Sequence, residues 1–228
     1  MDGSGGIVGV AGPVDLAGLG HQEEALAVVQ QLDALLHIVG QLPLAASGVQ
    51  FAILRAGYRG YTEGSIQEDA YFEQNLAGAI DAGLDVGVYF FSQAMDEQEA
   101  REEASYACEL IGTRKLDLPL FYDWETVSGS ERIPTPDGLP LTDCAVAFCK
   151  VVRRNGFEAG VYFNQSLGYR YFDLSKLHDY TLWLAEYDTT PEFHYHFDCL
   201  QYTDTGTVAG IEGGVDLDIL FLPETTSD

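Results

Sequence analysis

The sequence predicts a parallel α/β fold, a barrel or a doubly wound sheet, from three observations. Short apolar runs recur along the chain from Val49 onward. Segments with apolar residues three and four positions apart separate them, the pattern of strand–helix–strand units. The runs are apolar on both faces, as strands covered by helices must be.

Each element follows from its own residues. Phe51-Ala52-Ile53-Leu54-Arg55-Ala56 reads as a buried strand. Phe72, Leu76, Ala79 and Ile80 then share one helical face, with Gly83 as a C-terminal stop. Val86–Phe91 is the next strand, and Ala100, Ala104, Ala107, Cys108 and Ile111 mark a second helix. Leu118–Glu125 is a third strand. A third helix carries Val146, Cys149 and Val152 and stops at Asn155-Gly156, before the strand Ala159–Asn164. After residue 180 the rhythm changes. Leu182–Tyr187, Asp198–Thr203 and Val215–Phe221 read as strands with little room for helices between them. No internal repeat is present. The first 48 residues read differently, with Ile7–Val10 as a short strand and Glu23–Val39 as an amphipathic helix through Leu26, Val29, Leu32, Leu36 and Val39.

Composition narrows the function. The 228 residues suffice for one large domain or two small ones, and 46% hydrophobic residues supply a core. Thirty-six acidic residues against 11 basic ones give a net charge of −25. A polyanion has no basic footprint for nucleic acid and no electrostatic anchor for an anionic membrane. No run is long and apolar enough for a membrane span. The Gly-rich start lacks the basic and apolar regions of a signal peptide. Cys108, Cys144, Cys149 and Cys199 form no CxxC pair, so buried thiols are expected rather than a disulfide or zinc site.

The chemistry points to carboxylates. In Phe121-Tyr122-Asp123-Trp124-Glu125, alternate side chains of a strand share a face, so Asp123 and Glu125 point the same way with α-carbons roughly 6.6 Å apart. Crowded carboxylates split their pKa values, giving an acid beside an ionised partner, the division glycoside hydrolysis needs. In Val215-Asp216-Leu217-Asp218-Ile219 both aspartates take one face and can meet the first pair in a barrel mouth. Acids converging from two strands suit a cationic transition state, or a hard cation such as Mg²⁺ or Ca²⁺. His178, His194 and His196 lie away from these acids, and His194-x-His196 reads as an exposed polar pair. Tyr58, Tyr61, Tyr89, Phe91, Tyr162, Trp183, Tyr187 and Tyr202 fall at or near strand ends, some as core and some as walls for an apolar sugar face. Ser128–Pro140, rich in Pro and Gly, reads as a loop over the mouth.

FAILRAGYRG, DAGLDVGVYFFS, LPLFYDWE, GVYFN, LWLAEY, LQYTDTGTV and GVDLDIL, in that order, resemble glycoside hydrolase family 25, lysozyme-type muramidases of bacterial peptidoglycan. The resemblance implies a TIM-like (β/α)5(β)3 barrel over residues 49–223, after a divergent segment 1–48 and before a tail 224–228. It implies hydrolysis of the β-1,4 bond between N-acetylmuramic acid and N-acetylglucosamine without a cofactor or metal. Glu125 matches the family's general acid, Asp123 its neighbouring carboxylate, and Asp216 the acid of the closing V-D motif; Asp218 stands where Asn is more usual. Arg55, Tyr89, Tyr162, Trp183, Tyr187 and Gln201 fall in segments lining the family's groove. A monomer acting outside the cell or at the cell wall is implied.

The departure lies at the start. The family's opening strand, roughly D-V-S-x-x-Q-G, is absent from residues 1–48. Asp33 lies at about the right distance but within the apparent helix, so either the segment is replaced or misread, or a divergent strand such as Ile7–Val10 fills the gap. Three functions therefore stand: a muramidase, a wall-binding descendant without activity, and a metal-dependent hydrolase.

Overall fold

Ten strands form one curled sheet in a computed structural model that describes residues 7–9, 28–31, 48–130, 132–133, 135–187, 190–208 and 213–221. In chain order the strands are β1 (Ile7–Gly9), β2 (Val28–Gln31), β3 (Phe51–Arg59), β4 (Ile66–Glu68), β5 (Asp85–Ser92), β6 (Leu120–Trp124), β7 (Ala159–Asn164), β8 (Thr181–Ala185), β9 (Cys199–Gly206) and β10 (Val215–Leu220). The helices are α1 (Phe72–Asp81), α2 (Glu97–Ile111), α3 (Leu141–Arg154) and the short α4 (Gln165–Arg170). A 3-10 turn, Leu174–Lys176, precedes β8.

Six strands run parallel in the order β3, β5, β6, β7, β8, β9. Helices or loops must therefore return the chain between them, and α1, α2 and α3 do so for the first three crossovers. β9 turns back into antiparallel β10, as the helix-poor ending of the sequence requires. The result is the TIM-like α/β fold expected. The apolar spacing puts Ala100, Ala104, Ala107, Cys108 and Ile111 of α2 into the core, and Gly83 and Gly156 take the positive φ that lets α1 and α3 end.

Period 2 sorts each strand into two layers. Leu54, Val88, Tyr122, Val161 and Leu184 pack outward against the helices. Phe51, Ile53, Tyr89, Phe121, Tyr162, Trp183 and Cys199 fill the inside of the curl. Asp123 and the residues beyond it therefore emerge at the C-terminal ends of the parallel strands, where barrels of this kind build their sites.

Three expectations change. Val28–Gln31 is a strand, not part of a helix over Glu23–Val39, because it pairs antiparallel with β10 on one side and β1 on the other. The rest of that helix lies outside the described residues. Ile7–Gly9 is a strand, but it pairs outside β2; β2 occupies the place beside the closing strand. Both segments also lie beside β3, at the far end of the pairing order, so the sheet curls back on itself. Finally, the strand around Asp123 is shorter than read, Leu120–Trp124, which leaves Glu125 just beyond its end. The β4 strand, which pairs antiparallel with the end of β3, was not foreseen.

Gly160 on β7 tests the packing inside the curl. A Cβ there would lie 2.3 Å from Phe121 Cδ1 and 2.9 Å from the Thr181 carbonyl oxygen. Gly160→Ala is expected to cost about 1–3 kcal/mol in urea unfolding, the usual range for overpacking. An unchanged midpoint would refute the close approach.

Candidate active site

Three acidic side chains gather where β6 ends and β10 begins. Asp123 is the penultimate residue of β6 and is buried; Glu125 follows the strand and is half-buried at the mouth. The backbone carbonyl of Glu125 accepts a hydrogen bond from Gln93 Nε2 at 2.7 Å, so the end of β5 fixes where this residue leaves the sheet. The Trp124 indole N–H donates to the Ala94 carbonyl at 3.2 Å, tying the same two strand ends together. Asp216 comes from β10, whose register is irregular between Val215 and Asp218.

The charges of these groups act on one another. Burial pushes Asp123 well above the usual carboxylate range, the charges of Glu125 and Asp216 push it further, and Arg55 opposes them. Burial raises Glu125 as well. Asp216 is pushed up to about 7 by burial, then by Asp204 and Glu125. One oxygen of Asp123, Oδ1, is buried without a hydrogen-bond partner. Crowded, poorly solvated carboxyls of this kind retain protons near neutral pH and titrate as a set rather than singly.

Gln201 on β9 organises the polar side of the cluster. Its Oε1 accepts from the Tyr162 hydroxyl at 2.9 Å and the Tyr187 hydroxyl at 2.6 Å, while its Nε2 donates to Asp216 Oδ2 at 3.2 Å. All four groups are thereby set in one orientation. Arg55 lies on the opposite flank and is bound to Asp69 Oδ2 through Nε at 2.8 Å and a terminal nitrogen at 2.7 Å.

The aromatic residues divide as the two layers require. Tyr58, Tyr61 and Tyr187 are exposed at the rim, whereas Tyr89, Tyr162 and Trp183 are buried. Trp183 lies beneath the mouth as a floor, edge-on to Tyr162 at 4.7 Å and Phe121 at 5.1 Å. Its indole N–H donates to Asp218 Oδ1 at 2.5 Å. Asp218 is fully buried, and its Oδ2 has no partner. Burial raises its pKa well above the ordinary value, against the Trp183 hydrogen bond and with help from Asp216.

The segment after Glu125 is irregular, as expected, and it is strapped down. Ser130 Oγ donates to the Tyr61 carbonyl at 3.0 Å; Arg132 donates to the Gln93 carbonyl at 2.7 Å and pairs with Glu99. Behind it, buried Glu103 accepts from Arg59 Nε at 2.7 Å and Ser92 Oγ at 2.6 Å, and is pushed up to about 7 chiefly by burial. Among the described residues no group of three or more His, Cys, Asp or Glu side chains has the arrangement of a metal site. His196 Nε2 lies 2.9 Å from Asp198, apart from the acids. The four cysteines are free and buried. Asp33 lies outside the described residues.

Asp204, Gln93 and the Arg59–Glu103 pair escaped the sequence reading. Asp204 stands in the quoted LQYTDTGTV segment but is set off from the D-x-E and D-x-D patterns. Gln93 and Glu103 acquire their roles only through contacts with distant strands.

Comparison with known proteins follows the same outline. The sequence pattern of glycosyl hydrolases family 25 matches residues 39–211. An autolytic lysozyme of Clostridium acetobutylicum is 28% identical over 173 residues, covering 75% of this chain and 49% of that protein. The chain thus spans about half the length of this curated relative. The modular autolysin LytC of Streptococcus pneumoniae, solved with a synthetic peptidoglycan ligand, is 26% identical with a TM-score of 0.61, over 73% of this chain and 39% of that one. The spore cortex lytic enzyme SleM of Clostridium perfringens shares the fold with a TM-score of 0.66 at 22% identity, over 80% of this chain and 63% of that one.

The buried acids make stability depend on pH. Asp218 binds its proton more tightly when folded, so its contribution is full below the unfolded pKa of about 3.9 and is lost as pH rises from there through the raised folded value. Asp123, Glu125, Asp216 and Glu103, all raised, act with the same sign. Asp218→Asn keeps an acceptor for Trp183 and removes the ionisation. The variant and wild type should unfold at the same urea concentration near pH 3.5, with the variant more resistant at pH 8. An equal gap at both pH values would count against a protonated Asp218.

Proposed function

The chain belongs to glycosyl hydrolase family 25, and from that premise we propose that it is a muramidase. It hydrolyses the β-1,4 bond between N-acetylmuramic acid and N-acetylglucosamine in bacterial peptidoglycan, acting outside the cell or at the cell wall. What supports the reading is the meeting of Asp123 and Glu125 at the end of β6 with Asp216 at the start of β10, where Gln201 ties Asp216 to the hydroxyls of Tyr162 and Tyr187.

Glu125 is the proton donor. It is the member of the β6 pair that reaches the mouth, while Asp123 is buried behind it. Burial keeps a proton on Glu125 closer to neutral pH than on an ordinary glutamic acid, which suits a general acid. The donor protonates the glycosidic oxygen as the bond to the anomeric carbon breaks. Positive charge then develops on the sugar ring, and Asp216, poised near pH 7 between its charged and neutral forms, favours it from beside Asp123. Asp216, bound by Gln201, in this reading accepts from the acetamido N–H, so that the substrate's own carbonyl oxygen closes on the anomeric carbon before water opens the ring again. Arg55, Tyr89, Tyr162, Trp183, Tyr187 and Gln201 contribute to the groove, Trp183 as its buried floor.

One observation favours a second reading, a wall-binding descendant without activity. The strand beside β10 is Val28-Val29-Gln30-Gln31, which carries no carboxylate where the family's opening strand supplies one. A supporting carboxylate lost from a site that acts as a unit costs orders of magnitude in rate.

Reducing ends released from purified cell walls separate the two. The wild type should release them, and Glu125→Gln should reduce the rate at least about a hundredfold, the usual minimum for a lost general acid. Full activity in Glu125→Gln overturns the role of that residue; wall binding without reducing ends supports the second reading. A net charge of −25 also repels an anionic wall at low salt. Activity on walls should therefore rise between low and moderate ionic strength. A steady fall over that range would refute this.

A further inference from the structure

Beyond the acidic mouth, an open cleft of about 610 Å³ lies between α4 and the segment that joins β8 to β9. It is lined by Gln165, Tyr169, Pro191, Glu192, Phe193 and His194. We propose that this cleft is an accessory subsite for an aminosugar of the same glycan strand, remote from the bond that is cut. The proposal rests on the muramidase reading above.

Position is the first argument. α4 begins immediately after β7, and the other wall follows β8, so the cleft opens at the C-terminal ends of the parallel strands, beside the mouth. Hydrogen bonds connect the two. Gln165 Nε2 donates to Glu186 Oε1 at 3.2 Å, Glu192 N donates to the same oxygen at 2.9 Å, and Glu186 N donates to the Gln201 carbonyl at 3.0 Å. The residue that orients Asp216 thus also anchors the near side of the cleft.

Its chemistry is the second argument. Tyr169, Phe193 and Tyr195 form a cluster with ring centroids 4.8 to 5.9 Å apart, tilted against one another by 49 to 67°. Phe193 is rooted in the core against Phe163 at 5.6 Å, whereas Tyr169 and Tyr195 are 43% and 57% exposed. The wall is fixed, since the Tyr169 hydroxyl accepts from His194 N at 2.8 Å. Rigid aromatic faces beside the polar groups of Gln165, Glu192 and His194 match a sugar ring, which is apolar on its face and hydroxylated at its edge. The volume falls within the usual range for small-ligand pockets, about 300–1,000 Å³. The acid cluster accounts for none of these rings.

Chain length is the discriminating variable. Peptide-free glycan strands of alternating N-acetylglucosamine and N-acetylmuramic acid, two, four and eight sugars long, should be titrated against the Glu125→Gln protein. Affinity should rise from four to eight sugars, and adding Tyr169→Ala should remove that gain, a loss of about tenfold for the octamer, with the tetramer little changed. Tyr169 lines the cleft and is well exposed, and an unshifted melting temperature shows that the fold is intact; Tyr169→Phe, which keeps the ring, should restore the gain. A length dependence that Tyr169→Ala leaves in place, or an equal loss for both lengths, overturns the subsite alone. No binding of any strand, together with no reducing ends from the parent enzyme, overturns the muramidase reading and the subsite with it.

Discussion

Desolvation of carboxyl groups is the constraint on which the rest of this molecule depends. A chain with a surplus of acids must leave most of them in water, yet Glu103, Asp123 and Asp218 are buried. The protein treats them in two ways. Glu103 receives an arginine and a serine hydroxyl, and becomes part of a strap that joins α2 to the ends of β3 and β5. Asp123 and Asp218 each keep an oxygen without a partner, and Arg55, shared with Asp69, is the cation that acts on Asp123. Burial so poorly compensated pushes both pKa values up, and the same desolvation acts on Glu125, the acid that reaches the mouth.

The fold makes that arrangement possible by separating support from chemistry. Side chains alternating along each strand fill the inside of the curl with Phe121, Tyr162 and Trp183 up to the level of the mouth. Above that floor Gln201, Asp216 and the hydroxyls of Tyr162 and Tyr187 bond to one another. Gln201 shows the economy of the design, because one amide accepts from two tyrosines and still donates to Asp216. Its orientation fixes which atoms of Asp216 face the groove.

Much of this was legible in the sequence, for physical reasons. Strands such as Ala159–Asn164 are recognisable to the residue because an apolar run bounded by Gly and a capping Asn has few alternatives. The helix α2 announces itself through alanines spaced for close packing. The acid pairs stand out by their alternate spacing, but strand period alone does not decide their fate: Glu125 follows the end of β6, and irregular register in β10 leaves Asp216 on Gln201 and Asp218 on Trp183. What could not be read depends on distant partners. Val28–Gln31 fits a helical stripe locally, but pairing with β10 decides its state. The short β4, the strap through Arg59 and Arg132, and the burial of Trp183 beneath the groove likewise exist only once far-apart segments meet.

The four thiols carry a last consequence. Cys108, Cys144, Cys149 and Cys199 are all free and enclosed, and burial raises the pKa of each, to about 11 for Cys108 and about 12 for Cys144. A thiol so far from forming thiolate neither exchanges with disulfides nor oxidises readily. Among the described residues no crosslink ties the strands together, so cohesion comes from packing, and a thiol reagent should reach these side chains only when the protein opens.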